Sequence, residues 1–425
     1  MLDVKFIKEN PDLVKQGLLN KNAANVVDEV LKLDEERRAL ILKSDELKAK
    51  RNQVSSDIPK MKKAGQDTTV VFAEMKRVGD EIALLDNNLR KIEEELEEML
   101  RNTPNLAHST VPVGKSADEN VEVRQWLPDG FSFKNDFEVL DHIELGKKLQ
   151  ILDFERGTKI SGSGFPLYTG KGATLERALI NFMLDFHLNH HGYSEILPPV
   201  LVNKESMKGT GQIPKMEEDM YLIEKDGLYP IPTSEVPITN IHRDEVLLEK
   251  ELPIKYVGYS PCFRREAGSY GKESKGFLRV HQFNKVEMVK FSHPKNSYDE
   301  LESMVVDAED ILKAMGIPYR IILLCTGDLS FSAAKCYDIE TWSPAENKWL
   351  EASSCSNFEN FQARRANIRY RREDDKKLDF VHTLNGSGLA TSRLMVSLLE
   401  NYQTPEGKIV VPKVLQKYTG FEIIG

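Results

Sequence analysis

The chain has 425 residues, 40% hydrophobic and 29% charged, with a formal net charge of -9, and its length exceeds what one hydrophobic core usually fills, so two domains are expected. No apolar run approaches the roughly twenty residues that cross a bilayer, and Met1 to Asn20 mixes Asp, Lys and Glu among its apolar residues, unlike a signal peptide; no membrane association and a cytoplasmic location are expected. The acidic balance offers no global attraction for nucleic acid, so such a partner would be drawn by local basic patches.

In chain order, the first pattern is a seven-residue repeat through Val26, Leu33, Leu40, Leu47, Val54 and Met61, with partly polar positions Val30, Arg37, Ser44, Arg51 and Ile58 between them. A second seam runs through Val71, Met75, Val78, Ile82, Leu85, Leu89, Ile92, Leu96 and Met99 in alternating steps of four and three. Both predict long helices that pack along a stripe. Residues 58–69, with Pro59 and Gly65, break both registers, so the chain is expected to reverse there and Pro59 to shorten the first helix. The product is an antiparallel coiled-coil hairpin on the order of 50 Å long. Near its tip lie Lys48, Lys50, Arg51, Lys60, Lys62 and Lys63, with Lys76 and Arg77 on the return helix. This cluster is either a solvated helical face or a surface that tracks a phosphate backbone.

Thr103-Pro104-Asn105 ends the second helix, and a polar, Gly- and Pro-containing linker is expected over 105–130. The expected domains are 1–104, the arm, and 105–425, which includes that linker. Beyond it, strand-like runs at 197–202, 255–263, 280–290, 319–324 and 380–384 alternate with helical stretches at 174–189 and 297–315. Strands outnumber crossover helices, so the prediction is an α+β domain with a mostly antiparallel sheet flanked by helices.

Gly162, Gly164, Gly170 and Gly172 fail the spacing of known phosphate loops and read as loop punctuation. The segment 259–290 reads as strand, polar loop, strand. On its second strand a period of two places Arg279, His281, Phe283, Lys285 and Glu287 on one face. A guanidinium neutralises phosphate, an aromatic ring stacks a purine and a carboxylate holds an ammonium group; the same pattern also suits an ordinary amphipathic hairpin. Asn385-Gly386-Ser387-Gly388-Leu389-Ala390 then leads from an apolar strand into a helix carrying Arg393 in its first turn, with small residues that would allow close backbone approach to a ligand. The four cysteines, Cys262, Cys325, Cys336 and Cys355, lack the paired spacing of a zinc site or a disulfide framework.

These segments resemble the motifs of class II aminoacyl-tRNA synthetases. Gly192-Tyr193-Ser194-Glu195-Ile196-Leu197-Pro198-Pro199 resembles motif 1, Phe263-Arg264-Arg265-Glu266 with Arg279 to Glu287 resembles motif 2, and Gly388-Leu389-Ala390 to Arg393 resembles motif 3. Thr233-Ser234-Glu235, the run from Glu351 to Asn357, the run from Thr383 to Ser387 and the N-terminal arm narrow the resemblance to seryl-tRNA synthetases. The absence of a cysteine-rich zinc site fits the bacterial type.

The resemblance implies activation of L-serine by ATP to seryl-adenylate and transfer of serine to the 3′ end of tRNA-Ser, with tRNA-Sec as a second acceptor left undecided. It implies catalytic roles for Arg264, Glu287 and Arg393, and serine binding by Thr233, Ser234, Glu235, Arg264, Glu287, Asn385 and Ser387. It assigns ATP to Arg264, Arg265, Glu266, Arg279, Val280, Phe283, Glu351, Ala352, Ser353, Ser354 and Arg393. Within that set Arg264 would grip the α-phosphate and the serine carboxylate, Arg393 the γ-phosphate, and Phe283 would stack on adenine, whose amino group Glu266 accepts. Glu351 and Ser354 would hold Mg²⁺. Strict strand alternation would point those two to opposite faces, so a bulge or strand end is expected between them. Lys48, Arg51, Lys60, Lys62, Lys63 and Arg77 would contact tRNA, and motif 1, within 174–199, would form a homodimer. An alternative is a synthetase-like ligase that loads an amino acid onto a carrier protein; the basic-tipped arm weighs against it.

Overall fold

The computed structural model describes residues 1–267 and 275–425, and the chain divides into two compact units, Met1–Pro104 and Asn105–Gly425. In the first, two short helices, α1 (Val4–Glu9) and α2 (Pro11–Asn20), precede two long ones, α3 (Val27–Lys63) and α4 (Thr69–Asn102). Asp3 caps α1 by accepting from the Lys5 amide, and Pro11 opens α2, where its missing N–H is no loss.

The seams meet as the repeats require, with α3 and α4 packed along each other and Val30, Leu33, Val78, Ile82, Leu85 and Leu96 buried. The polar seam position Ser44 is buried too, and it is satisfied across the hairpin: its hydroxyl donates to Asp86 Oδ1 at 2.8 Å, which Lys48 Nζ also reaches at 3.0 Å. One expectation is overturned. Pro59 lies inside α3, which continues to Lys63, and the reversal is confined to residues 64–68. A proline removes one helical hydrogen bond, and at an exposed helix end that loss is easily solvated. Gly65, at φ 73°, supplies the left-handed residue that ends the helix, with Gln66 N closing back on Met61 O.

The second unit is built on strands β1 (Val121–Trp126), β2 (Ser194–Glu195), β3 (Ile254–Phe263), β4 (Gln282–Ser292), β5 (Tyr319–Leu323), β6 (Lys335–Ser343), β7 (Lys348–Asn357) and β8 (His382–Ala390). Among the described residues they form one eight-stranded sheet in the order β1-β5-β6-β7-β8-β4-β3-β2. Every pairing is antiparallel except β2 with β3. Helices α5 (Gly170–His190), α6 (Ser297–Met315) and α7 (Thr391–Asn401) pack on it. They bury one face of the sheet, where Val286, Met288, Ile339 and Leu384 join Leu175, Met304, Val305 and Leu394 in the main core. By the period of two, Lys285, Glu287, Val289 and Phe291 point the other way. On that side a smaller cluster around Val289, Phe291, Ile238 and Ala363 covers only one end, and the middle of the face is left for a site.

Several boundaries differ from the sequence reading. Residues 105–130 are not simply a linker, because β1 lies within them as the edge strand paired with β5. The run 197–202 yields only Leu201–Asn203, since Pro198 and Pro199 cannot donate to a ladder. Strand β4 begins at Gln282, so Arg279 and Val280 precede it, and part of the expected polar loop, 268–274, lies outside the described residues. Residues 385–390 are themselves part of the strand that leads into α7. Their glycines serve packing: a Cβ on Gly386 would lie 2.7 Å from Cys355 Sγ, and one on Gly388 2.4 Å from His187 Nε2.

Candidate active site

A cavity of about 530 Å³ opens beside β4, β7 and β8. Its lining includes Thr233, Glu235, Arg264, Glu266, Arg279, Val280, Phe283, Lys285, Asn385, Ser387 and Arg393, with the run Glu351 to Ser354 along one wall. Antiparallel pairing explains the convergence at one end. Ser387 on β8 stands opposite Glu287 on β4, and Gly258 on β3 stands opposite the same glutamate.

Glu287 is wholly buried just behind the lining. Its carboxylate accepts from Asn385 Nδ2 at 2.8 Å and from Thr233 Oγ1 at 3.3 Å, and Lys285 Nζ lies 2.5 Å away. A buried carboxylate needs such partners, and here three of them face the cavity. Glu235 is a second carboxylate at the same end and is 7% exposed. Burial, and then the negative charge of Glu287, push it up to about 7, against the opposing pull of a hydrogen bond from Gln362 and the charges of Lys285 and Arg264.

At the other end, Arg264 lies with its guanidinium 5.1 Å from the Phe283 ring centre, a cation–π arrangement that presents charge and an aromatic face side by side. Glu266 Oε2 pairs with Arg279 Nε at 3.0 Å. Arg393, from the first turn of α7, donates to Glu351 O at 3.0 Å and reaches Glu351 Oε2 at 3.1 Å. The strand between Glu351 and Ser353 carries a register shift against β6, so the expected irregularity is present and both Glu351 and Ser354 line the cavity. Ser354 stands opposite Asp338 in register; burial, and then the charge of Glu351, hold Asp338 well above the usual carboxylate range. Among the described residues no group of three or more His, Cys, Asp or Glu side chains is placed to hold a metal ion. A carboxylate and a hydroxyl therefore form a partial oxygen donor set, of the kind suited to a hard cation whose remaining ligands are phosphate and water.

Besides Glu287, which lies behind the lining, two expected ligands fall outside the cavity. Ser234 is fully buried and shares a 2.5 Å hydrogen bond with Ser260, because the turn into the short helix Glu235–Thr239 aims it inward. Arg265 is exposed and donates to Glu218 O at 3.2 Å. His281, placed on the site face by strand alternation, lies before β4 and donates from Nδ1 to Arg264 O at 2.9 Å, so it holds the backbone of that arginine. The sequence reading gave no role to Lys285, although its spacing of two from Glu287 was a usable signal. Nor did it single out Gln362 or the wall formed by Thr210, Gln212, Phe277 and Ser330 to Ser332, none of which stands in a local pattern.

Behind the cavity Glu176 of α5 ties three elements together. Its Oε1 accepts from Asn284 Nδ2 of β4 at 2.8 Å and from Thr391 Oγ1 of α7 at 2.5 Å. Asn284 adjoins Phe283, and Thr391 lies two residues before Arg393. Oε2 of Glu176 is buried without a hydrogen-bond partner among the described residues, and burial pushes the carboxyl up to about 7. In the first unit, Lys60 pairs with Asp57 at 2.8 Å and Lys48 with Asp86, Lys62 lies 5.2 Å from the Phe72 ring centre, Arg51 is half-buried, and Lys63 and Arg77 are exposed.

Comparison with known proteins bears on this geometry. Residues 220–402 match the family described as tRNA synthetase class II core domain (G, H, P, S and T), and residues 1–107 match the seryl-tRNA synthetase N-terminal domain. The chain is 62% identical to the serine--tRNA ligase of Chloroherpeton thalassium, with 100% of both chains covered, and 58% identical to that of Chlorobaculum parvum, again with 100% of both covered. Its structure resembles that of the seryl-tRNA synthetase from Pyrococcus horikoshii complexed with ATP, with a TM-score of 0.93 and 39% identity, covering 100% of this chain and 99% of that one. These matches support the tRNA-ligase reading and not the carrier-protein one. On full-length identity at this level, over both the arm and the core, the chain belongs to the seryl-tRNA synthetase family.

Proposed function

We propose that the cavity holds ATP and L-serine together and that its residues divide the work of adenylate formation between its two ends. The observation that carries this is the convergence of Thr233, Glu235, Lys285 and Asn385 around buried Glu287, with Arg264 and Phe283 lining the same cavity. Ligation of serine to tRNA-Ser is the activity of the family. The first step joins two anions, the serine carboxylate and the α-phosphate, so the site must neutralise charge and hold the reactants in line.

Arg264 meets the α-phosphate and the serine carboxylate, and Phe283 supplies the face on which adenine stacks. Arg393 takes the γ-phosphate, which requires its bond to Glu351 to loosen as substrate enters. Thr233, Glu235, Asn385 and Ser387 read the ammonium and hydroxyl groups of serine, with Glu287 organising them from behind. Such a site rejects alanine by about 10⁴-fold, because its polar groups would be left unpaired. Glu351 and Ser354 would hold magnesium, which would supply positive charge to offset that of the phosphates. In the second step the terminal ribose hydroxyl of tRNA attacks the carbonyl carbon of the adenylate, forming the ester as the acyl–phosphate bond breaks and AMP leaves with the charge. The arm presents Lys48, Arg51, Lys60, Lys62, Lys63 and Arg77 to the tRNA backbone, all but Lys48 and Arg51 being exposed. Residues 174–199 form a two-fold interface, and the enzyme acts in the cytoplasm.

ATP/pyrophosphate exchange with magnesium over serine, threonine, alanine and glycine, followed by charging of total tRNA, tests this reading. Serine-dependent exchange and charging of serine tRNA are expected. Exchange that is indifferent to the amino acid would overturn the assignment of the polar end.

A further inference from the structure

Gln362 belongs to the short helix Phe361–Ala366 and is 1% exposed. Every hydrogen of its amide is used: Nε2 donates to Glu235 Oε1 at 2.6 Å and to Thr210 O at 3.1 Å, while its oxygen accepts from Thr383 Oγ1 at 2.7 Å. A carboxylate and a carbonyl can only accept, so the nitrogen must face them, and the amide has one orientation. One oxygen of Glu235 is thereby fixed by the protein. The other accepts no hydrogen bond among the described residues, and Glu235 lines the cavity.

The two carboxylates at this end are therefore held differently. Glu287 has a cation, Lys285, within 2.5 Å. Glu235 has a neutral amide. A lysine or arginine in place of Gln362 would neutralise Glu235 and leave nothing for a cationic substrate; an amide holds the carboxylate in position without cancelling its charge. The groups that act on Glu235 from neighbouring elements are Glu287, Lys285 and Arg264. None of them replaces the hydrogen bond from Gln362.

We infer that Gln362 is a positioning residue for the amino-acid end of the site, fixing one oxygen of Glu235 so that the other meets the substrate, and that it thereby contributes to the preference for serine. This rests on the reading of Glu235 as a serine ligand. Gln362 itself touches no substrate and acts through Glu235, with Thr383 fixing the amide from behind.

The test compares Gln362→Met, which keeps the length and removes the donor, with Glu235→Gln and the double variant in the full-length enzyme, by serine-dependent pyrophosphate exchange. Loss of a hydrogen bond to a charged group predicts a rise of about 10- to 100-fold in KM for serine, with little change in KM for ATP. In the Glu235→Gln background, Gln362→Met should add much less than it does alone, because residues acting through one contact are not additive. If Gln362→Met does not fold, Thr383→Val, which removes only the hydroxyl behind the amide, should show the same split between the two KM values at smaller size. An unchanged serine KM in Gln362→Met alongside a raised one in Glu235→Gln overturns this inference alone. An unchanged serine KM in Glu235→Gln overturns the reading beneath it, and equal rises for serine and ATP reduce Gln362 to a support of the fold.

Discussion

Replacing Glu287 with glutamine removes one negative charge from a fully buried cluster while keeping the side chain's shape. Lys285, itself 6% exposed, then loses its counter-charge at 2.5 Å, and breaking a buried pair from one side costs about 3–5 kcal/mol of stability. Thr233 and Asn385 each donate to this carboxylate, one to each oxygen; an amide keeps one acceptor and puts a donor in place of the other, and the loss of one such bond, at about 1.5–3 kcal/mol, corresponds to a fall in kcat/KM for serine of roughly 10- to 100-fold. Urea unfolding measures the first effect and pyrophosphate exchange the second. The two can be separated, because adding Lys285→Met to Glu287→Gln removes the stranded cation and should recover much of the stability without recovering serine activation. A Glu287→Gln enzyme with wild-type kcat/KM for serine would refute the argument. So would a double variant that regains activity along with stability.

Other outcomes follow from the same geometry. Replacing Lys60, Lys62 and Lys63 together with alanine should weaken tRNA binding and flatten its salt dependence while leaving pyrophosphate exchange intact; unchanged charging kinetics over a salt series would remove the tip from the interface. Gly388→Ala would place a methyl 2.4 Å from His187 Nε2, on a ring that donates to Gly388 O at 2.9 Å and that burial holds down to about 3 and hence neutral. Chemical denaturation should report a loss of about 1–3 kcal/mol. For Glu176, the folded-state value is raised from 4.5 to about 7, so the protonated form is favoured by folding. Its contribution is complete below the unfolded carboxyl value and is lost as pH rises through about 7. Thermal unfolding of Glu176→Gln against wild type should therefore shift in the variant's favour as pH climbs through that window, and a pH-independent difference would show that Glu176 stays ionised throughout.

Much of the fold is legible because it is written in local periodicity. The seam from Val71 to Met99 lies along α4, and the helical stretch 297–315 coincides with α6, since the need to bury one stripe of a helix leaves a 3.6-residue signature wherever it occurs. At Pro59 the helix continues, because its continuity there depends on how exposed the site is rather than on residue type. The glycines at 386 and 388 are places of close approach, by Cys355 and His187. Which face of β8 meets the core cannot be read from Asn385-Gly386-Ser387-Gly388, four small residues in a row.

The same division holds at the site. Arg264, Phe283, Glu287 and Arg393 carry charge or an aromatic ring in short motifs, so residue type and spacing nominate them, and the arm, the sheet class and nearly half of the cavity lining are legible without the structure. The tertiary structure alone decided that Ser234 turns inward, that Glu351 and Ser354 share a wall through a shifted register, and that Gln362 reaches Glu235 across 127 residues of chain. The physical reason is that a helix or strand states its own buried face in its own sequence, whereas a hydrogen bond between distant segments depends on how whole elements pack, and no local pattern records it.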